Sequence, residues 1–139
     1  MTESMPCIYL VEDDEAVRDS LKMVLESVGH HVEAFASADR FLANYTPELS
    51  GALLLDIRMP GMNGMELQRK LNEMNSILPI IFVTGHGDVP MAVEAMQQGA
   101  VDFVQKPYRE QVLLDKINQA LALDKQNRET LLQRQSILH

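Results

Sequence analysis

Four apolar runs in this chain end on residues that can do chemistry. Glu12, Asp13 and Asp14 follow "CIYLV", Asp56 follows "ALLL", Thr84 closes "PIIFVT", and Lys106-Pro107 follows "VDFVQ". Clustered carboxylates raise one another's pKa unless a cation joins them. Oxygen donors of this kind suit Mg2+ or Mn2+, which bind through one or two carboxylates, waters and often a phosphate. Lys106 adds a mobile positive point charge and Thr84 a hydroxyl donor. Cation, lysine and hydroxyl together describe a site that stabilises an anion, and a phosphoryl group is the natural one. A carboxylate facing such a site can act as a nucleophile and become an aspartyl phosphate. Each residue also has a plainer role. The acidic quartet from Glu12 to Glu15 suits a helix N-terminus on dipole grounds alone, Thr84 is a β-former, and Phe103 on an apolar run is a core residue.

Competing chemistries fail on spacing. No GxxxxGK[ST] phosphate loop exists. A flavin-phosphate loop after the first strand would need hydroxyls and glycines, whereas this loop is acidic. Small phosphatases that pass through an aspartyl phosphate carry a second acid two residues after the nucleophile, and Arg58 occupies that position. The four histidines (30, 31, 86 and 139) and the lone Cys7 show no zinc spacing. Cys7 reads as a buried strand thiol.

The elements that must hold these residues follow from apolar periodicity. Short runs at 7–11, 31–35, 52–56, 79–84 and 101–105 read as strands. Helical spacing covers 15–29, where Gly29 is a natural stop, then 38–44 behind a Ser37 cap, and 65–74. A fourth helix carries Asp88 as candidate cap and Pro90 in its first turn, and a fifth starts near Arg109. Five strand–helix pairs argue for a parallel sheet covered on both faces, with ligands beyond the carboxyl ends of its strands. Past residue 122 the last helix continues as "ALDKQNRETLLQRQSILH". Its seam through Leu114, Ile117, Leu121, Leu131 and Leu138 is broken by Asp124 and Arg128, so a weak coiled coil and a solvated tail both fit. The chain ends without a second compact unit, as a piece of a longer protein would.

Bulk composition sets outer bounds. The 139 residues suit one domain, with 46% apolar and 23% charged residues and no Trp. No apolar run approaches the roughly 20 residues that span a bilayer, and the N-terminus lacks a basic leader, which points to the cytoplasm. A formal net charge of -8 argues against direct contact with nucleic acid.

Taken together, "LVEDDEAVR", "LLLDIRMPGMNGMEL", "VTGHGD" and "AVDFVQKPY" resemble, in this order, the receiver domain of two-component response regulators. The resemblance covers about 7–122. Within that family "VTGHGDVPMAVEAMQQGAVDF" is similar to receivers of the FixJ/TtrR type, and secondarily to those of the DctD type. It implies a (βα)5 doubly wound sheet of strand order 2-1-3-4-5, flavodoxin/CheY-like. It implies Asp56 as phosphoacceptor, and Mg2+ (or Mn2+) held by Glu12, Asp13, Asp56 and the backbone carbonyl of Arg58. Thr84 and Lys106 would bind the phosphoryl group. Thr84 and Phe103 would form the switch, Arg58 and His86 would tune dephosphorylation, and Lys106-Pro107 would hold a cis bond. The implied partners are a sensor histidine kinase and a second copy, joined on phosphorylation through the face of helix 4, strand 5 and helix 5. Residues 1–122 would be the receiver domain. Residues 123–139 would be a helical linker extension to an absent output domain, through which alone the protein would reach DNA. For FixJ-like proteins that output is a helix-turn-helix transcription regulator; for DctD-like ones it is a sigma-54 activator.

Overall fold

The computed structural model describes residues 6–85 and 88–138. Its elements alternate strictly: β1 (Cys7–Val11), α1 (Glu15–Ser27), β2 (His31–Phe35), α2 (Ala38–Asn44), β3 (Gly51–Asp56), α3 (Gly64–Glu73), β4 (Ile80–Thr84), α4 (Val89–Gln97), β5 (Asp102–Gln105) and α5 (Glu110–Leu138). All neighbouring strands pair in parallel, in the order β2-β1-β3-β4-β5, which is the expected order.

The apolar runs are continuous because both sheet faces are covered, and the period of two still decides which face each residue serves. Tyr9, Val11, Leu53, Leu55 and Phe82 pack with Phe41 of α2, Leu67 and Leu71 of α3 and Ala92 and Ala95 of α4. Their neighbours Ile8, Leu10, Leu54, Ile81 and Val83 pack on the other face with Leu21 and Leu25 of α1 and Leu113 and Ile117 of α5. Burial pushes the Cys7 thiol up to about 11, and the nearby Glu33 carboxylate adds to this, so the thiol is inert.

Caps set several boundaries. Asp14 accepts from Val17 N at the start of α1, and Ser37 accepts from Arg40 N at the start of α2. Gly29, at φ 96°, ends the first helical unit as its position in the sequence implied. Strand β3 starts one residue earlier than its apolar run, at Gly51. Gly51 has φ 131°, and a Cβ there would lie 1.8 Å from the Cys7 carbonyl oxygen, so only glycine lets β3 lie against the start of β1.

The two charges that break the apolar seam of α5 form an anchor. Asp124 is buried, and its Oδ2 accepts from Gly51 N at 2.9 Å. Arg128 Nε donates to both Asp124 carboxylate oxygens, at 3.1 and 2.9 Å. The same guanidinium donates to the carbonyls of Pro47 and Leu49. Residues 124–128 therefore lie against the loop before β3 and are not a solvated tail.

Asp124→Ala would leave the Gly51 amide and the Arg128 Nε–H without their partner. A loss of about 3 kcal/mol is expected, read as a lower urea midpoint at unchanged slope. Glu129→Ala, on the exposed side of the same helix, should change stability by less than about 0.5 kcal/mol. Equal effects from the two variants would contradict the anchor.

Candidate functional site

The site lies where β1 and β3, neighbours at the centre of the sheet, reach their carboxyl ends. Glu12 N still bonds Phe35 O at 3.1 Å, so β1 runs regularly up to the acidic residues. The Glu12 side chain is buried and its Oε2 accepts from Asp14 N at 3.1 Å. Arg18 Nη1 donates to the Glu12 carbonyl at 2.9 Å and to that of Asp13 at 3.4 Å, which steadies the turn into α1.

Asp56 ends β3. Its carboxylate accepts from Arg58 N at 3.2 Å. The chain then turns back at once: Gly64 N bonds Ile57 O at 2.9 Å. A Cβ on Gly64 would lie 2.4 Å from the Asp56 carbonyl and 3.0 Å from the Phe82 ring. Helix α3 can therefore start directly against the site only because residue 64 is glycine. Asn63 and Glu66 close that helix start with a reciprocal capping box.

One carboxylate oxygen from each of Glu12, Asp13 and Asp56 lies within 4.8 Å of the others. Burial pushes Glu12 up to about 7, and the Asp56 charge adds to the rise. Burial also raises Asp56, against the opposing pull of Lys106 and of the Arg58 amide. Lys106 Nζ stands 3.8 Å from Glu12 Oε1. One lysine thus faces three carboxylates. Such an oxygen-rich, under-neutralised set fits a hard divalent cation.

The remaining expected residues fall around this cluster. Thr84 is fully buried at the end of β4, and its hydroxyl donates to Val104 O over a long 3.4 Å. Lys106 N bonds Thr84 O at 2.8 Å, and the peptide bond to Pro107 is cis. Phe103 is partly buried and packs against the cluster on the α2–α3–α4 face. His86 lies outside the described residues.

Asp88 departs from its expected role. It occupies the N-cap position of α4, yet its side chain accepts nothing from the helix. Its Oδ1 instead accepts from Arg58 Nε at 2.6 Å, and its Oδ2 from Gly85 N at 3.3 Å. The carboxylate therefore ties the loop after β3 to the loop after β4. Nothing local in the sequence signals this pair, because its members are 30 positions apart. The Asn63–Glu66 box was legible as Asn followed three residues later by Glu, and is an addition to the expected caps.

Comparisons with known proteins agree with this fold. A model of the response regulator receiver domain matches residues 8–118. Response regulator protein TodT of Pseudomonas putida is 47% identical over 128 residues, covering 92% of this chain and 56% of TodT. The solved structure of response regulator StyR is 44% identical, with a TM-score of 0.91, over 96% of this chain and 67% of that one. Full-length FixJ from B. japonicum is 39% identical with a TM-score of 0.81, over 96% of this chain and 66% of that one. The chain spans about half the length of the curated relatives it matches.

The carboxylate cluster has a consequence for stability. The pKa of the Glu12 carboxyl is raised to about 7 in the folded state from its ordinary 4.5. Between those values the folded state holds the extra proton, so stability falls as pH rises through that window. Glu12→Gln removes the charge and keeps the acceptor for Asp14 N. In metal-free buffer its Tm should exceed wild type above pH 7, by about 4 °C for each kcal/mol relieved. The gain should disappear near pH 4.5. A variant less stable than wild type at both pH values would contradict the cost of the buried Glu12 charge.

Proposed function

The chain belongs to the response regulator receiver domain family, and from that premise we propose that Asp56 takes a phosphoryl group from the phosphohistidine of a sensor histidine kinase. The convergence of Glu12, Asp13 and Asp56 beside Lys106 carries this reading. Glu12, Asp13, Asp56 and the Arg58 carbonyl would hold Mg2+ or Mn2+. When bound, the cation supplies the positive charge that lets an anionic phosphoryl group approach the carboxylates.

An Asp56 carboxylate oxygen attacks phosphorus, the O–P bond forms as the N–P bond breaks, and the imidazole leaves with the bonding pair. Lys106 moves its ammonium from Glu12 to a phosphoryl oxygen. Thr84 exchanges its long bond to Val104 O for a bond to the phosphoryl group, and Phe103 turns into the space that Thr84 leaves. Arg58 and His86 set how fast water removes the group. The chain acts on its own phosphorylation and slow dephosphorylation, and not as an enzyme on external substrates. Arg58 in place of an acid two residues after Asp56 supports that distinction.

The output is transcriptional. The share of TodT and FixJ that the chain leaves uncovered supports one further small domain, of the FixJ helix-turn-helix type. It would follow the receiver of residues 1–122 through the helical linker of 123–139. DNA contact belongs to that domain, as the formal net charge of -8 here suggests. The setting is the cytoplasm, where the kinase presents its phosphohistidine. Phosphorylation pairs two copies through α4, β5 and α5, where Val89, Val93, Met96 and Val112 are exposed.

Incubation with acetyl phosphate and Mg2+, followed by intact mass measurement, tests the acceptor. Wild type should gain one phosphoryl group, chelator should abolish the gain, and Asp56→Asn should show none. An undiminished gain in Asp56→Asn would overturn the assignment. Beryllofluoride-treated protein should dimerise by light scattering and Val93→Asp should not; a strict monomer at high concentration would contradict the chosen face.

A further inference from the structure

The side chain of Asp88 stands between the Arg58 guanidinium and the first turn of α4; its Oδ1 bonds only Arg58, while its Oδ2 accepts from Gly85 N at 3.3 Å. It stands at the N-cap position of α4, where an aspartate ordinarily accepts a bond from the second or third helical amide. Pro90 occupies the second helical position and has no N–H, so the amide of Met91 is the only such donor. No side chain caps α4 among the described residues. The Asp88 carboxylate is turned instead to the Arg58 guanidinium, at 2.6 Å. It is 4% exposed whereas the Arg58 side chain is 70% exposed. If the exposed partner leaves, Asp88 keeps the Gly85 amide on Oδ2, but its buried Oδ1 loses its donor and must find another.

Arg58 is also in direct contact with Asp56. Its backbone N–H already bonds the Asp56 carboxylate. A phosphoryl group there raises the local negative charge from one to about two and adds acceptor oxygens that suit a guanidinium. Resting on the phosphoacceptor reading above, we propose that Asp88 is a positioning residue that changes partners. Unphosphorylated, it holds Arg58 and leaves the first turn of α4 uncapped. Phosphorylation of Asp56 draws Arg58 away, and Asp88 turns to cap α4 at Met91. The charge event at the end of β3 is thereby passed to the helix after β4 through one carboxylate oxygen that changes partner.

Amide hydrogen exchange at Met91, measured by NMR on the full chain, reads the partner directly. Phosphorylation with acetyl phosphate and Mg2+ should slow exchange at Met91 roughly tenfold in wild type, the effect of gaining one capping bond. Arg58→Ala should show the slow rate without any phosphoryl group, because Asp88 is already free to cap. Asp88→Ala should still gain the phosphoryl mass but show the fast rate in both states. A phosphorylated wild type with unchanged exchange at Met91 would overturn the exchange of partners, and so would a fast rate in Arg58→Ala. Intact mass on the same samples separates the two proposals. A wild type that gains no mass contradicts the phosphoacceptor reading, while Arg58→Ala still decides the partner exchange without phosphorylation.

Discussion

Three carboxylates held within one ion's reach at the end of a buried sheet are the constraint from which the rest of this structure follows. Left alone, Glu12, Asp13 and Asp56 would repel and separate. They stay together because β1 and β3 are adjacent, buried on both faces and locked in register from Cys7↔Gly51 to Val11↔Leu55. Burial, with a smaller contribution from the neighbouring carboxylates, raises the pKa of Glu12 and of Asp56, and Lys106 relieves only part of the rise. Packing of the two cores offsets the remainder. A site this unfavourable when empty of positive charge is well suited to a divalent cation and then to a phosphoryl group.

The loops beyond the strands are shaped by the same requirement. Gly64 lets α3 begin against the Asp56 carbonyl, so the chain leaves the site in one tight turn. Arg58, inside that turn, serves two directions at once: its amide bonds Asp56 and its guanidinium bonds Asp88. Arg58 thus links Asp56 to Asp88, at the start of α4, by a route outside the core. At the opposite end of the sheet, Asp124 and Arg128 fix α5 to the loop before β3. That anchor holds α5 in a defined direction relative to the sheet.

The strands and their polar ends were legible in the sequence because burial on both faces leaves continuous apolar runs, and a charge that terminates such a run is conspicuous. Asp56 after "ALLL" and Glu12-Asp13 after "CIYLV" are of this kind. Helix starts at Asp14 and Ser37 were legible because an N-cap bond spans three residues. The ion pairs were not. Asp88 looked like an ordinary cap because its competitor Arg58 lies on another loop, and Asp124 looked like a flaw in a seam because its partner is the Gly51 amide, 73 positions away. Backbone donors carry no signature in sequence. Gly51 is similar: its need for glycine comes from Cys7, which only strand pairing brings near.

The most direct measurement is thermal unfolding at neutral pH in millimolar MgCl2, against NaCl of equal ionic strength. A cation that relieves the three carboxylates binds the folded state alone and stabilises it by mass action. Tm should rise with Mg2+ concentration in wild type and stay flat in Asp13→Asn. A wild-type Tm indifferent to Mg2+, or an equal rise in Asp13→Asn, would contradict the central role of the carboxylate cluster.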